Sequence, residues 1–395
     1  MTAAQFGYAQ AELAARGGDW TGREIAQQPA VWRKVCEQLD ARDDDIGAFL
    51  APLLADPRLR IVLTGAGTSA FVGECLVPAI LRQSSCAVEA VATTDLVAGP
   101  DRYFRAEVPT LLVSFARSGN SPESVAAFDL AEQMVTRRFH LVLTCNQDGA
   151  LYRRCAGRAN ALAIALPEET HDRAFAMTSS FTAMLLAAAL IFGVLDPVRD
   201  SVADCAAAAA ALLDGQMGRL RQLAGRDFER VVYLGSNELG GLAREAALKL
   251  LELSDGRVVA SFDSPLGFRH GPKSVINDRT LVVLMLSNDP YTRRYDLDLL
   301  NELRGDGRAG QVLALSGRPD PAQDEHWVLV PGMERASDIA LALPYIVFAQ
   351  VLALLQSLRL GLRPDTPSVS GTVNRVVHGV TIYAWEGKDK HVPRH

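Results

Sequence analysis

Residues 61–76 read IVLTGAGTSAFVGECL and residues 231–246 read VVYLGSNELGGLAREA. Each is an apolar, strand-like run that ends in a turn of small residues and passes into a helical pattern, the grammar of a parallel α/β unit. A second pair repeats the correspondence, LLVSFARSGNSPES from 111 and LVVLMLSNDPYTRR from 281, with the serine cluster decayed in the later copy. Self-similarity over this length means one fold used twice, with unequal ligand roles.

Working outward, strand-like runs alternate with helical patterns. The first series is 60–64, 87–92, 110–114, 140–144 and 161–165; the second is 231–234, 257–261, 281–286, 311–315 and 326–330. The expectation is an α/β protein with two tandem domains, at 46–200 and 201–360. Each is a five-stranded parallel sheet flanked by helices, with a helical N-terminal extension at 1–45 and a C-terminal tail at 361–395. Residues 1–55 read as mainly helical, with Pro29 and Pro52 near helix starts. The alanine-rich DCAAAAAALLDG within 201–220 predicts one connecting helix, because alanine is the strongest helix former. The tail carries an apolar hook at 373–383 that is expected to fold back over the body.

The 395 residues, 49% of them hydrophobic, are enough for two cores. A net charge of -6 argues against a broad nucleic-acid or anionic-membrane surface, yet a local nest of donors still binds a small anion. The N-terminus lacks the pattern of a secretory signal, and no run reaches about 18 uninterrupted apolar residues, 183–194 coming nearest. A cytoplasmic protein is expected, with neither nucleic acid nor membrane as partner. Six scattered cysteines, without a CxxC pair or paired histidine spacing, read as free thiols with no metal.

The turn Gly65-Ala66-Gly67-Thr68-Ser69-Ala70 fits the loose dinucleotide pattern, and Glu89 stands near the distance of a ribose-binding acid, so a nicotinamide enzyme is a competitor. Thr68 and Ser69 equally suit a monophosphate at a helix N-terminus. The loop Arg117-Ser118-Gly119-Asn120-Ser121 follows a neighbouring strand, and parallel strands deliver their loops to one sheet edge. Thr68, Ser69, Ser118 and Ser121 are therefore expected to converge on one anion. Ser121, before Pro122 and Glu123, also reads as a helix cap.

In LAREAALKLLEL, Glu245, Lys249 and Glu252 share one face of a mostly apolar helix. They are either a solvated salt-bridge stripe or a general base tuned by a lysine. His270, in the Gly/Pro loop SPLGFRHGPK, is a candidate partner in proton transfer. Thr178 and Ser179 open an apolar helix, as caps or as substrate contacts, and His171 just before them is a loop or supporting residue.

These motifs together resemble the sugar isomerase (SIS) family of phosphosugar proteins with two SIS domains in tandem, related to the isomerase half of glucosamine-6-phosphate synthase. That family's phosphate loops appear here as Ala66-Gly67-Thr68-Ser69 and as Ser118-Gly119-Asn120-Ser121 after Ala116-Arg117. Its catalytic helix appears as Lys249-Leu250-Leu251-Glu252 and its histidine loop as Arg269-His270-Gly271-Pro272. The resemblance implies Glu252 as proton-shuttling base, His270 as ring opener and no cofactor. Two departures stand out: Arg375 is nearest to the synthase's tail lysine but cannot form its imine, and Thr2 stands where a glutaminase would carry cysteine. The stretches REIAQQPAVWR, TCNQDGAL and FRHGPKSVIN are most similar to the galactosamine-6-phosphate deaminase/isomerase family, also called tagatose-6-phosphate ketose/aldose isomerase. This implies a sugar 6-phosphate substrate, amino-sugar catabolism and a homodimer with sites near the subunit interface. The competing readings are an aldose–ketose isomerase of a hexose 6-phosphate, a glucosamine-6-phosphate deaminase and, from another class, a non-catalytic phosphosugar-binding regulator.

Overall fold

The computed structural model describes residues 6–319, 326–377 and 379–387. The chain enters through α1 (Gln10–Ala15), α2 (Asp19–Ala26), α3 (Gln28–Asp40) and α4 (Asp43–Leu54). Then come β1 (Arg60–Thr64), α5 (Thr68–Leu81), β2 (Ala87–Ala90), α6 (Thr93–Ala98), α7 (Pro100–Tyr103), β3 (Thr110–Ala116), α8 (Pro122–Met134), β4 (Arg138–Thr144), α9 (Ala150–Cys155), β5 (Ala161–Ala165) and α10 (Ser179–Ile191). The later part runs α11 (Val202–Gly215), α12 (Met217–Gly225), β6 (Arg230–Gly235), α13 (Glu238–Leu253), β7 (Val259–Asp263), α14 (Pro265–Phe268), β8 (Thr280–Met285), α15 (Thr292–Asp306), β9 (Gln311–Ser316), β10 (Trp327–Leu329) and α16 (Asp338–Arg359).

The strands form two five-stranded sheets in the orders β2-β1-β3-β4-β5 and β7-β6-β8-β9-β10, which is one topology used twice. Every pairing is parallel. The central strands β3 and β8 are buried along their whole length, as expected of sheets covered by helices on both faces, and that is why they read as unbroken apolar runs. α5 packs on the first sheet, α13 on the second, and the two helices pack on each other. Their approach is close: a side chain at Gly241 would put its Cβ 2.7 Å from the backbone N of Cys75.

Four expectations need correction. β7 begins two residues later than expected because 254–257 make a turn, with Arg257 N–H donating to the Ser254 carbonyl at 3.0 Å and Asp255 and Gly256 at positive φ. The single connecting helix is two, α11 and α12, broken at Gln216. Pro29 does open α3, but Pro52 lies inside α4, whose start is set by Asp43, Asp44 and Asp45 against the helix dipole. Finally, 183–194 is not the most membrane-like segment. α16 is long and apolar enough to span a bilayer, but its apolar window is wholly buried in the protein, which makes it a core helix.

The N-terminal helices are fastened to this core by polar contacts inside it. The Trp32 indole donates to Thr182 Oγ1 at 3.0 Å, and Gln28 Nε2 donates to Gln350 Oε1 on α16 at 2.7 Å. The tail does return to the body: Gln133 Nε2 donates to the Trp385 carbonyl at 3.0 Å, although Val373, Val377 and Tyr383 stay exposed. The six cysteines are unbridged.

Candidate active site

β1 and β3 are neighbours, so the turns at their C-terminal ends share one edge. Gly65 makes the first turn tight: a Cβ there would lie 2.5 Å from the Ser69 carbonyl carbon. Gly67 follows at φ +55°, and Thr68 and Ser69, both buried, start α5. In the second loop Gly119 has φ +67°, and Gly149 crosses so closely that a Cβ on it would lie 2.7 Å from the Ser118 carbonyl oxygen. Asn146 Nδ2 holds that same oxygen at 2.9 Å, and Ala150 N–H donates to Asn120 Oδ1 at 2.9 Å, so the loop is rigid. The main-chain N–H groups of Ser118, Gly119 and Ser121 are unpaired among the described residues. Rigid loops with open N–H groups at helix starts can bind anions. Ser121 does occupy the N-cap position of α8, yet its hydroxyl makes no cap bond and donates instead to Glu123 Oε2 at 2.8 Å.

The second half lacks this cradle. In the register that aligns Ile61 with Val231, Thr68 becomes Glu238, and the loop Ser118–Ser121 becomes Asn288–Tyr291. There the N–H groups are already used: Asn288 N–H donates to Asp338 Oδ1 at 2.7 Å and Tyr291 N–H to Asp289 Oδ1 at 3.0 Å. The chain's own carboxylates fill the place of an anion.

What the second half brings to the first is α13. Lys249 Nζ donates to Thr68 Oγ1 at 3.0 Å and to Glu252 Oε2 at 2.5 Å, and lies 3.5 Å from Glu245 Oε1. The side chains of Lys249 and Glu245 are fully buried while Glu252 keeps 22% exposure, so the stripe is not a solvated face. Burial works against the ammonium, but the Glu245 and Glu252 carboxylates outweigh it and hold Lys249 above the usual lysine range. Burial pushes Glu245 up to about 8, with Lys249 opposing. Near neutrality the cluster is therefore a neutral Glu245, a charged Lys249 and Glu252, the one of the three carrying an exposed edge. A partly open carboxylate clamped by a buried ammonium beside an anion cradle can move a proton on a bound phosphate ester.

Four residues that the sequence reading passed over frame this cluster. Arg117, buried in the phosphate-type loop, donates to the carbonyls of Ala174 at 3.2 Å, Phe175 at 3.0 Å and Arg375 at 2.7 Å. Burial works against its charge, and among the groups that act on it are Asp172, Arg375 and Glu252. Arg375 in turn donates through Nε to the Asp172 carbonyl at 2.9 Å. The Asp172 carboxylate, not the Thr178 hydroxyl, caps α10: its Oδ2 accepts from Thr178 N–H at 2.8 Å, Ser180 N–H at 2.9 Å and Ser180 Oγ at 2.6 Å. Thr178 Oγ1 is buried with no hydrogen-bond partner. Glu24 of α2 accepts from the N–H groups of Arg173 and Ala174, and burial together with Asp172 pushes it up to about 8. Asp365 holds Thr21 N–H at 2.8 Å, while its carbonyl accepts from Phe175 N–H at 3.1 Å. Both termini thus grip the 172–175 loop that holds Arg117. An arginine among serines at a strand end was the available signal; the rest are long-range contacts.

Thr68, Lys249 and Glu252 are in direct contact, with Gly67, Ser69, Ser118, Gly119 and Ser121 on the two adjoining turns. His270 is not brought to them. Its side chain is exposed, and no hydrogen bond or ion pair among the described residues joins it to Glu252. The basic residues beside it are tied elsewhere, Arg269 to Glu302 at 2.7 Å and Lys273 to Asp306 at 2.5 Å. Glu89, the would-be ribose acid, pairs with Arg60 across β1 and β2. His171 is half-buried at the edge of a cavity shared with Trp20 and Glu24.

The SIS domain family matches residues 53–193. The chain is 46% identical to D-galactosamine-6-phosphate deaminase AgaS of Shewanella sp. (strain ANA-3), over 94% of each sequence. It is 47% identical to the D-galactosamine-6-phosphate deaminase AgaS of Escherichia coli, over 94% of this chain and 98% of that one. The solved structure of tagatose-6-phosphate ketose/aldose isomerase from Escherichia coli superposes with a TM-score of 0.86 at 44% identity, covering 94% of this chain and 98% of that chain.

Proposed function

The chain belongs to the D-galactosamine-6-phosphate deaminase AgaS family of tandem SIS proteins, and from that premise we propose that it converts galactosamine 6-phosphate and water to tagatose 6-phosphate and ammonia. The observation that carries the reading is Lys249, whose one ammonium touches both Thr68 of the anion cradle and Glu252.

In this reading the 6-phosphate sits on Thr68, Ser69, Ser118, Gly119 and Ser121, and fixing that end positions C1 and C2 against α13. Glu252 takes the C2 proton of the open-chain sugar, giving an enolamine, and returns a proton to C1. The product of that transfer is a C2 imine with a C1 alcohol. Water adds to the imine carbon, the C–N bond breaks, and ammonia leaves with the ketose. Lys249 and Arg117 offset the negative charge that develops between C1 and C2. Arg375 and Thr178 act from the adjoining loop, Arg375 by holding it in place. No organic cofactor or metal is required by these steps.

His270 opens the sugar ring from a second copy of the chain. Supporting this, Leu251 at the end of α13, Val259 and Phe262 on the edge strand β7, and Leu266 on α14 are exposed apolar residues near His270 in the chain. Such a patch suits a homodimer interface. The phosphorylated substrate places the activity in the cytoplasm.

The test is ammonia release from galactosamine 6-phosphate, followed with glucosamine 6-phosphate as comparison. Ammonia with a ketose 6-phosphate from the galactose epimer is expected. Neither product from either sugar would overturn the proposal.

A further inference from the structure

The duplicated fold has two topological switch points, one between β1 and β3 and one between β6 and β8, and ligand crevices of open α/β sheets form there. The first is the site described above. At the second, a cavity of about 590 Å³ opens between the loop after β8 and the start of α16. Its walls carry the guanidinium groups of Arg82, Arg199, Arg318 and Arg335.

Four carboxylates share these walls: Asp196, Asp289 and Asp338 already accept main-chain N–H groups, while Glu334 is exposed. Asp338 accepts from Asn288 N–H at 2.7 Å and from the Ser287 hydroxyl, and Asp289 accepts from Tyr291 N–H at 3.0 Å and Thr292 N–H at 2.9 Å. The arginines are held more loosely. Arg82 is 53% exposed and reaches Glu238 and Asp289 only at 4.0 Å and 3.9 Å, while Arg199 reaches Asp200 at 3.6 Å and Asp196 at 3.9 Å. Arg318 donates to the Asn288 carbonyl at 2.6 Å and through Nε to the Glu334 carbonyl at 3.2 Å, both neutral partners. Asn288, 5% exposed, lines the cavity and leaves its Oδ1 without a hydrogen-bond partner. The chemistry left open is chiefly the guanidinium groups of Arg82, Arg199 and Arg335, one amide acceptor and the Glu334 carboxylate at the rim, which suits a phosphate carried on a hydroxylated molecule.

We propose that this crevice is a second binding site, for a phosphorylated sugar or polyol, in which guanidinium groups replace the hydroxyls and N–H groups of the first. In the repeat register Arg82 stands where Glu252 stands in the other half, so the counterpart of that carboxylate is missing and the site is one for binding. Its position matters: α5 starts at the first site with Thr68 and is followed by Arg82 at the second, while α13 starts with Glu238 beside the second and ends with Glu252 at the first. Two packed helices, each about 20 Å long at 1.5 Å per residue, join the sites directly.

Calorimetric titration with galactitol 6-phosphate, which has no carbonyl to react, tests the proposal independently of catalysis. The wild-type chain is expected to bind two molecules. A variant with Arg82→Glu and Arg335→Glu, both exposed positions, is expected to bind one, and Arg199→Glu to weaken the same event. Thr68→Val with Ser69→Ala is expected to remove only the other site. Galactitol lacking phosphate is expected to bind at neither. If the arginine variant binds as many molecules as the wild type, the second site is refuted, whereas unchanged binding by the Thr68/Ser69 variant refutes the first.

Discussion

The Arg117 guanidinium donates to the backbone carbonyl of Arg375 at 2.7 Å, so the loop after β3 and the C-terminal tail meet there. This contact makes Arg117 a clamp as well as a local charge. Arg117→Met removes three charged hydrogen bonds and leaves three carbonyls to find other donors. Losing hydrogen bonds to a charged group costs about 1.5 to 3 kcal/mol each at most, and incomplete coupling to the transition state leaves a fall in kcat/KM of roughly 10- to 100-fold. Limited proteolysis should show faster cleavage in 365–377 in the same variant. Unchanged kinetics and cleavage would count against the clamp.

Glu252→Gln keeps the shape of the cluster and a hydrogen-bonding partner for Lys249, but cannot accept a proton. Turnover is expected to fall by about 10² to 10⁴, the usual worth of a general base, while binding of galactitol 6-phosphate stays within a few-fold of wild type. Turnover at the wild-type rate would remove Glu252 from the mechanism.

Lys249→Met has a different signature, because it strips a buried cation from Glu252 and from the buried Glu245 carboxyl. Breaking a buried pair costs about 3 to 5 kcal/mol, so urea unfolding should show a loss of that order as well as lost activity. Glu252→Gln, which leaves the ammonium with Thr68 and Glu245, should be much nearer wild type in stability. Equal stability of the two variants would contradict the buried network.

Gly65→Ala tests the cradle through its backbone. The new Cβ would fall 2.5 Å from the Ser69 carbonyl carbon, so the start of α5 must move and carry Thr68 and Ser69 with it. KM for the sugar phosphate should rise about tenfold or more, with kcat less affected, since the loss is mainly in binding. Gly47→Ala, where a Cβ meets nothing within 4 Å, is the control.

The architecture was legible because buried parallel strands advertise themselves: all ten runs became strands, and the repeat at 61 and 231 became two sheets of one topology. The two loops were legible for a related reason, since Gly65, Gly67 and Gly119 sit where the backbone must turn sharply after β1 and β3. Glu24, Asp172 and Asp365 carry no such mark. Their partners lie elsewhere in the chain or are backbone N–H groups, and no local period encodes a carboxylate from α2 holding residues 173 and 174. α16 escaped notice because Pro344, Tyr345, Gln350 and Gln356 interrupt its apolar run, although all of them are buried. The break of α11 at Gln216 was hidden by alanine, whose helix preference says where a helix can form but not where it stops.

Glu245 links the site to stability through pH. Burial pushes its folded-state value up to about 8, while in the unfolded chain it titrates near the usual glutamate value of about 4.3. Between those limits the folded state binds more protons than the unfolded state, so stability falls as pH rises through that window and levels off above it. Glu24, also pushed up to about 8 by burial and by Asp172, adds a slope of the same sign. Glu245→Gln fixes the neutral form, so its urea midpoint should change less between pH 5 and pH 8 than that of wild type. The difference should be on the order of 2 to 4 kcal/mol. Glu24→Gln should flatten the same window independently, because it reports the 172–175 loop instead of α13. A wild-type midpoint that rises from pH 5 to pH 8, or a slope untouched by either substitution, would show that neither carboxylate is held neutral in the folded protein.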